Sequence, residues 1–212
     1  MEIESRVIQS TLADGVEMRA FPGHFATNHS HVNFYVDLTD VKVHHKKAQQ
    51  AAVGLAEYYS STFIDTIICL EGTESIGAFM AAELSQSSVM VMNDDVDISI
   101  ITPGVSTKKQ FIFLDNMKSI IEGHSILLLL SWATTGKTVD RAMESVEYYG
   151  GHLMGICALF SIIPEVRGIP VHAAFTLEDI PDYISSPSSE CGMCAQKRKL
   201  DAMINNMGYL KL

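Results

Sequence analysis

The stretch SWATTGKT, Ser131 to Thr138, sets three threonine hydroxyls, a glycine and a lysine between an apolar run and a helical stripe. Successive backbone N–H groups at the start of a helix, backed by hydroxyls and a lysine, are suited to holding a phosphate. A nucleoside-triphosphate loop of the G-x-x-x-x-G-K-[ST] type needs a glycine where Ser131 stands, and no apolar strand ends in a clear second aspartate. The turn therefore reads as a monophosphate cradle made by Ala133, Thr134, Thr135, Gly136, Lys137 and Thr138. The alternative is an ordinary strand-to-helix connection.

Three other groups carry chemistry. EGTES, Glu71 to Ser75, is a short polar turn after a second apolar run, and TPGVSTKKQ is a Gly/Pro-containing loop that supplies Lys108 and Lys109. Eight histidines invite a metal reading, but His44 and His45 are adjacent, and neighbours in a strand point to opposite faces. Cys191 and Cys194 have C-x-x-C spacing, which is half of a tetrahedral zinc set. A second C-x-x-C is absent, so a reduced surface pair is the simpler reading, and no metal ligand is assigned. Zinc would need a histidine or a symmetry mate to complete it.

The elements that must position these groups alternate in type. HVNFYVDL places Val32, Phe34, Val36 and Leu38 on one face and reads as a strand. HKKAQQAAVGLAEYYSS reads as a helix, DTIICL as a strand covered on both faces, and IGAFMAAELS as a helix. SVMVMN and DISIITP read as strands, LDNMKSIIEG as a short helix closed by Gly123, and SILLLL as a buried strand. Val139, Ala142, Met143, Val146 and Tyr149 form a helical stripe that Gly150 and Gly151 stop, and HLMGICALFS and VHAAFT are further strands. Strands alternating with helices predict an α/β fold with a mostly parallel sheet flanked by helices. The chain from 1 to 212 reads as one domain, with hood and tail elements at about 1–45 and 178–212.

Composition narrows the function classes. With 47% apolar and 19% charged residues the chain can bury a core. The longest wholly apolar runs, Ile126 to Leu130 among them, are strand-sized, far below the roughly 18 to 20 residues of a membrane span. The start MEIESRVIQS has no basic-then-apolar leader pattern, and isolated thiols suit a reduced compartment, so a soluble cytoplasmic protein is expected. A net charge of −10 argues against a nucleic-acid surface. An anionic ligand must be held locally.

The segment ILLLLSWATTGKTVDRAMESVEYYGGHLMGICALFS resembles the phosphoribosyl-pyrophosphate (PRPP) loop of the type I phosphoribosyltransferases, with ATTGKT matching the phosphate turn. IICLEGTESIGAFMAAELS is similar to that family's pyrophosphate loop, NHSHVNFYVDLTD to the N-terminal segment of its orotate-type members, and DIPDYISSPSSECGMC to their tail. The resemblance implies the type I fold with a small hood, Mg²⁺ bound through PRPP, a homodimer, and transfer of phosphoribose to a base, an orotate-like pyrimidine first. It also implies that Ala133 to Thr138 hold the 5′-phosphate, Glu71, Gly72, Thr73, Glu74 and Ser75 the pyrophosphate, and Lys108 or Lys109 the departing charge. Ser131, Trp132 and Tyr35 would lie beside the ribose or base. Aligned on ATTGKT, Leu130 and Ser131 stand where the family carries two acids. That departure sets a second reading beside the first: a PRPP- or nucleotide-binding regulator, unless Glu71, Glu74 or Asp140 supplies a carboxylate.

Overall fold

A computed structural model of the chain describes residues 4–86, 92–108, 110–205 and 208–212. Lys109 and most of the expected strand SVMVMN lie outside the described residues, and Met92 and Asn93 at its end are in a turn.

The strands of the central sheet are β4 (Thr66–Cys69), β5 (Ser99–Ile101), β8 (Ser125–Ala133), β9 (His152–Ser161) and β11 (Ile169–Phe175), with the short β10 (Glu165–Val166) on the edge. Their order is β10-β11-β9-β8-β4-β5; β11, β9, β8, β4 and β5 are parallel and β10 is antiparallel to β11. The alternation along β8 shows why its run of leucines is unbroken. Leu127 and Leu129 enter one core with α2 (His45–Glu57) and α3 (Glu74–Leu84), while Ile126, Leu128 and Leu130 enter the other with α5 (Lys137–Tyr148). A strand covered on both faces has no polar side to show. Each such fully buried leucine contributes on the order of 2 kcal/mol.

The hood is a second sheet. β2 (Glu17–Ala26) and β3 (His31–Asp37) form an antiparallel pair, β1 (Arg6–Gln9) adds to β2, and the tail returns as β12 (Ser185–Ser186), β13 (Ala202–Asn205) and β14 (Gly208–Lys211). The chain from Pro181, expected as an appended helix or hood element, thus joins the hood through three short strands, with a 3-10 turn at Ser188–Glu190 and the four-residue α6 (Gly192–Ala195) between the first two of them. β2 is the other strand that the sequence concealed, because Pro22 and Gly23 interrupt its alternation at a register shift. Met18, Phe25, Phe34, Val36 and Ile204 of the hood share one core with α2, α3 and the near face of the central sheet.

The loop TPGVSTKKQ is a hairpin, β6 (Gly104–Val105) and β7 (Phe111–Ile112), turning at Thr107 and Lys108. The short α1 (Thr39–Val43) and α4 (Asp115–Lys118) complete the elements. No helix among the described residues is long and apolar enough to cross a membrane.

Candidate functional site

A cleft of about 370 Å³ opens where β4, β5 and β8 end, lined by Glu71, Thr102, Trp132 and the turn from Ala133 to Gly136, with Thr138 beyond it. From above it is walled by Thr27, Asn28 and His29 of the β2–β3 turn and by Ile204 and Asn205 of β13. The strand order reverses between β4 and β8, and the carboxyl ends of strands at such a switch point are where open parallel sheets bind ligands.

The turn into α5 is set by one backbone angle. Gly136 caps α5 with φ +71°, a left-handed conformation, and its carbonyl accepts the Asp140 N–H at 2.8 Å. A Cβ there would meet Ile163 at 3.3 Å and Val166 at 3.4 Å, so close packing and φ both call for glycine. Of the residues expected to form the cradle, Ala133, Thr134, Thr135, Gly136 and Thr138 line the cleft. Lys137 is exposed and is not among the lining residues. Arg141, one turn into α5, does line it, and lies 3.4 Å from the His29 ring across the opening.

Glu71 is the carboxylate of the cleft. It follows β4 in a left-handed conformation, φ +61°, and Gly72 repeats it at +80°. A non-glycine residue in that region costs on the order of 1–3 kcal/mol, so the surrounding contacts must hold it there. They do: the Ser131 hydroxyl donates to the Glu71 carbonyl at 3.0 Å, the Lys42 ammonium donates to the same oxygen at 3.3 Å, and the Trp132 N–H donates to Oε2 at 3.2 Å. Burial pushes the Glu71 carboxyl above the usual carboxylate range, against the Trp132 N–H and the Lys42 charge, which favour ionisation. Desolvation likewise lowers the Lys42 ammonium, against Glu71, Asp37 and Glu74.

The rest of the expected pyrophosphate loop is structural in its contacts. The Thr73 hydroxyl is spent on the carbonyls of Leu70 and Leu129 at 3.0 and 3.1 Å, and the Ser75 hydroxyl on the Lys42 carbonyl at 2.8 Å. Glu74 accepts from the Thr102 hydroxyl at 3.0 Å. Asp140 faces Arg167 at 2.5 Å. Of Glu71, Glu74 and Asp140, Glu71 is the one that lines the cleft.

Several expected positions fall elsewhere. Tyr35 is only 5% exposed, ringed by Phe21, Phe25, Trp132 and Tyr209, and belongs to the core rather than the cleft wall; burial raises its hydroxyl to about 12. Trp132 is half-buried and lines the cleft while packing edge-on to Phe160, with centroids 6.3 Å apart. Ser131 and Leu130 are fully buried. Lys108 is exposed at the hairpin turn, and the hairpin itself reaches the cleft through Val105 and Phe111. Lys42, Arg141, Thr27 and Asn28 were missed by sequence reasoning; Lys42 lay unmarked in a helix whose approach to Glu71 is purely tertiary.

Only one member of the C-x-x-C expected at the surface is exposed, Cys194. Cys191 is 3% exposed, and both thiols face His24 and His31 of the hood.

Several hundred solved chains share this architecture. Among them are the adenine phosphoribosyltransferase of Rhodothermus marinus (TM-score 0.52, 15% identity, covering 82% of this chain and 94% of that one) and the orotate phosphoribosyltransferase of Mycobacterium tuberculosis in complex with inorganic phosphate (0.51, 16%, 70% and 81%). The latter enzyme in complex with PRPP superposes with TM-score 0.50 at 16% identity, covering 69% of this chain and 82% of that one. The fold is that of a type I phosphoribosyltransferase. No protein-family model matches the chain, and no curated protein matches it in sequence. Near the end of β8 the chain is uncharged at Leu130 and Ser131, and a glutamate that follows β4 leans against it.

Proposed function

We propose that the cleft binds PRPP and that the chain transfers its phosphoribosyl group to a nitrogenous base, an orotate-like pyrimidine being the first candidate. The bond from ribose C1 to the pyrophosphate oxygen breaks, a bond from C1 to a base nitrogen forms, and pyrophosphate and the proton of that nitrogen leave. The observation that carries the reading is the Glu71 carboxylate hydrogen-bonded to the Trp132 N–H at 3.2 Å, in the same cleft as the Gly136 turn. In this reading the N–H groups and hydroxyls of Thr134 to Thr138 hold the 5′-phosphate at the N-terminus of α5. Glu71 stabilises the positive charge that develops on the sugar, a role that suits a preorganised carboxylate in a partly dry site. Lys42 and the Glu71–Ser75 loop face the pyrophosphate. Magnesium would enter with PRPP as part of the substrate, where the hard carboxylate oxygens of Glu71 suit it and it would offset charge on the leaving pyrophosphate.

Lys108, exposed at its hairpin turn, suits a homodimer in which the partner's Lys108 closes over the pyrophosphate. Mixing Lys108→Ala chains with Glu71→Gln chains tests this: one restored site per mixed dimer is expected, and no restoration removes the trans role.

The burial of Leu130 and Ser131 supports a second reading, in which the cradle binds PRPP or a nucleotide for regulation without transfer. Calorimetry with PRPP and with nucleoside monophosphates, with and without Mg²⁺, followed by a pyrophosphate-release assay over a panel of bases, separates the two. Release on at least one base establishes transfer. Binding without release on any base establishes the regulator, and unchanged binding in Thr135→Ala/Lys137→Ala sinks the cradle itself.

A further inference from the structure

We propose that His24, His31, Cys191 and Cys194 bind one zinc ion, and that this ion fixes the hood wall of the cleft. Their four ligand atoms all lie within 4.8 Å of one another. His24 Nε2 is 3.2 Å from His31 Nδ1, 3.4 Å from Cys191 Sγ and 3.6 Å from Cys194 Sγ, and Cys194 Sγ is 3.3 Å from His31 Nδ1. A regular tetrahedron built on Zn–N and Zn–S bonds of about 2.05 and 2.3 Å has edges of roughly 3.3 Å between nitrogens and 3.6 Å between nitrogen and sulfur. The observed edges match these to within a few tenths of an ångström.

The donor set selects the metal. Two thiolates and two imidazoles, with no carboxylate among them, suit zinc in a closed four-coordinate structural site and disfavour magnesium, calcium or manganese. The outer contacts are those of a ligand already aimed. His24 Nδ1 lies 2.9 Å from the Arg198 carbonyl, which can only accept, so the proton sits on Nδ1 and the Nε2 lone pair faces the two thiols. The backbone of His24 is clamped as well: its N–H donates to the Asp201 carboxylate at 2.7 Å, and its carbonyl accepts the Asp201 N–H at 2.8 Å. Cys191 caps α6 and Cys194 lies within it, about one helical turn on, which brings both sulfurs to the same side.

The position explains what such an ion does. His24 lies two residues before the end of β2 and His31 begins β3, and the residues between them include Thr27, Asn28 and His29, which line the cleft. Joining that turn to cysteines 167 residues further along the chain holds hood and tail together. The ion is therefore structural for the hood and, through the turn, acts on ligand affinity without touching the ligand.

The experiment uses the full chain, purified under reductant without metal-affinity resin. Elemental analysis is expected to give one zinc per chain, and cobalt added to the metal-stripped protein is expected to show the ligand-field bands of a tetrahedral ion with thiolate-to-metal charge transfer. Absence of bound metal, or a cobalt spectrum without thiolate charge transfer, overturns the assignment. Cys194 is exposed, so Cys194→Ser leaves the core intact; it is expected to lose the ion and the charge-transfer band while keeping the far-ultraviolet circular dichroism of the wild type. Full retention of the ion in both Cys194→Ser and His31→Gln overturns it. With inorganic phosphate and PRPP as probes, metal removal is expected to weaken affinity on the order of tenfold, a typical coupling between sites. Unchanged affinity removes the role in the hood wall. Zinc binding in a chain that binds neither probe leaves the metal assignment standing and fails the phosphoribosyl reading, so the two fail separately.

Discussion

At the scale of single residues, the proposed chemistry rests on Glu71, which the sequence marked, and on Lys42, which it did not. Glu71→Gln preserves shape and the acceptor for the Trp132 N–H but removes the charge. Pyrophosphate release is expected to fall about 10²- to 10³-fold, the usual cost of losing one electrostatic stabiliser, with PRPP affinity changed less than about threefold. Because burial holds the Glu71 carboxyl above its ordinary range, wild-type activity should rise with pH through that raised value. The stability sign is opposite. A carboxyl raised on folding binds its proton more tightly in the native state, so the stabilisation it gives is complete below the unfolded value and is lost as pH rises through the folded one. Glu71→Gln should therefore melt higher than wild type at neutral pH and level with it in acid; a wild-type advantage at neutral pH would show that Glu71 is not held raised. Lys42 and Lys137 make a paired test by calorimetry. Half-buried Lys42 beside Glu71 is expected to contribute as hydrogen bonds to charged groups do, about 1.5–3 kcal/mol, so Lys42→Ala weakens PRPP roughly ten- to hundredfold. Exposed Lys137, prominent in the motif, should matter less than about threefold.

At the scale of elements, the turn into α5 depends on Gly136 more than on any side chain. Gly136→Ala forces a Cβ into left-handed geometry, a penalty of roughly 1–2 kcal/mol, and presses it against Ile163 and Val166. The helix start shifts, so the chemical-denaturation midpoint should fall and phosphate affinity with it; equal affinity in the alanine variant would mean that the turn does not hold the phosphate. This turn, β8 and α5 were legible because each is specified locally: an unbroken apolar run for a doubly covered strand, a glycine at the bend, an apolar stripe at helical spacing. β2 and β13 were not, since a Pro-Gly bulge breaks the alternation of one and the other is four residues pairing with a strand far away in sequence. The same distinction divides the site. The turn from Ala133 to Thr138 is contiguous and readable, whereas Glu71 meets Trp132 across 61 residues and His24 meets Cys191 across 167. The C-x-x-C showed half a ligand set because the other half is contributed by a strand pair at the opposite end of the chain.

At the scale of the whole molecule, hood and central sheet do not have separate interiors. Phe25, Phe34 and Val36 of the hood pack in one core with Leu127, Leu129 and Phe160 of the sheet, so the wall over the cleft and the strands beneath it should unfold together. Phe160 is the residue that tests this. It is fully buried on β9, edge-on to Trp132 of the cleft and to Tyr183 of the tail, with centroids 6.3 and 5.2 Å away. Phe160→Ala is expected to cost about 3–5 kcal/mol, the range for emptying a large aromatic site. The single tryptophan makes the cooperativity measurable. Trp132 fluorescence reports the cleft beneath the hood and far-ultraviolet circular dichroism reports the whole fold, so their denaturation curves should coincide in wild type and shift together in the variant. If fluorescence moved to lower denaturant while the dichroism stayed, the hood would be an independent layer, and the coupling of the zinc cluster to the cleft would have to run through the β2–β3 turn alone. Coincident curves mean that the same packing that stabilises the sheet also holds Thr27 to His29 above the phosphate turn, with the metal cluster closing the far side of that wall.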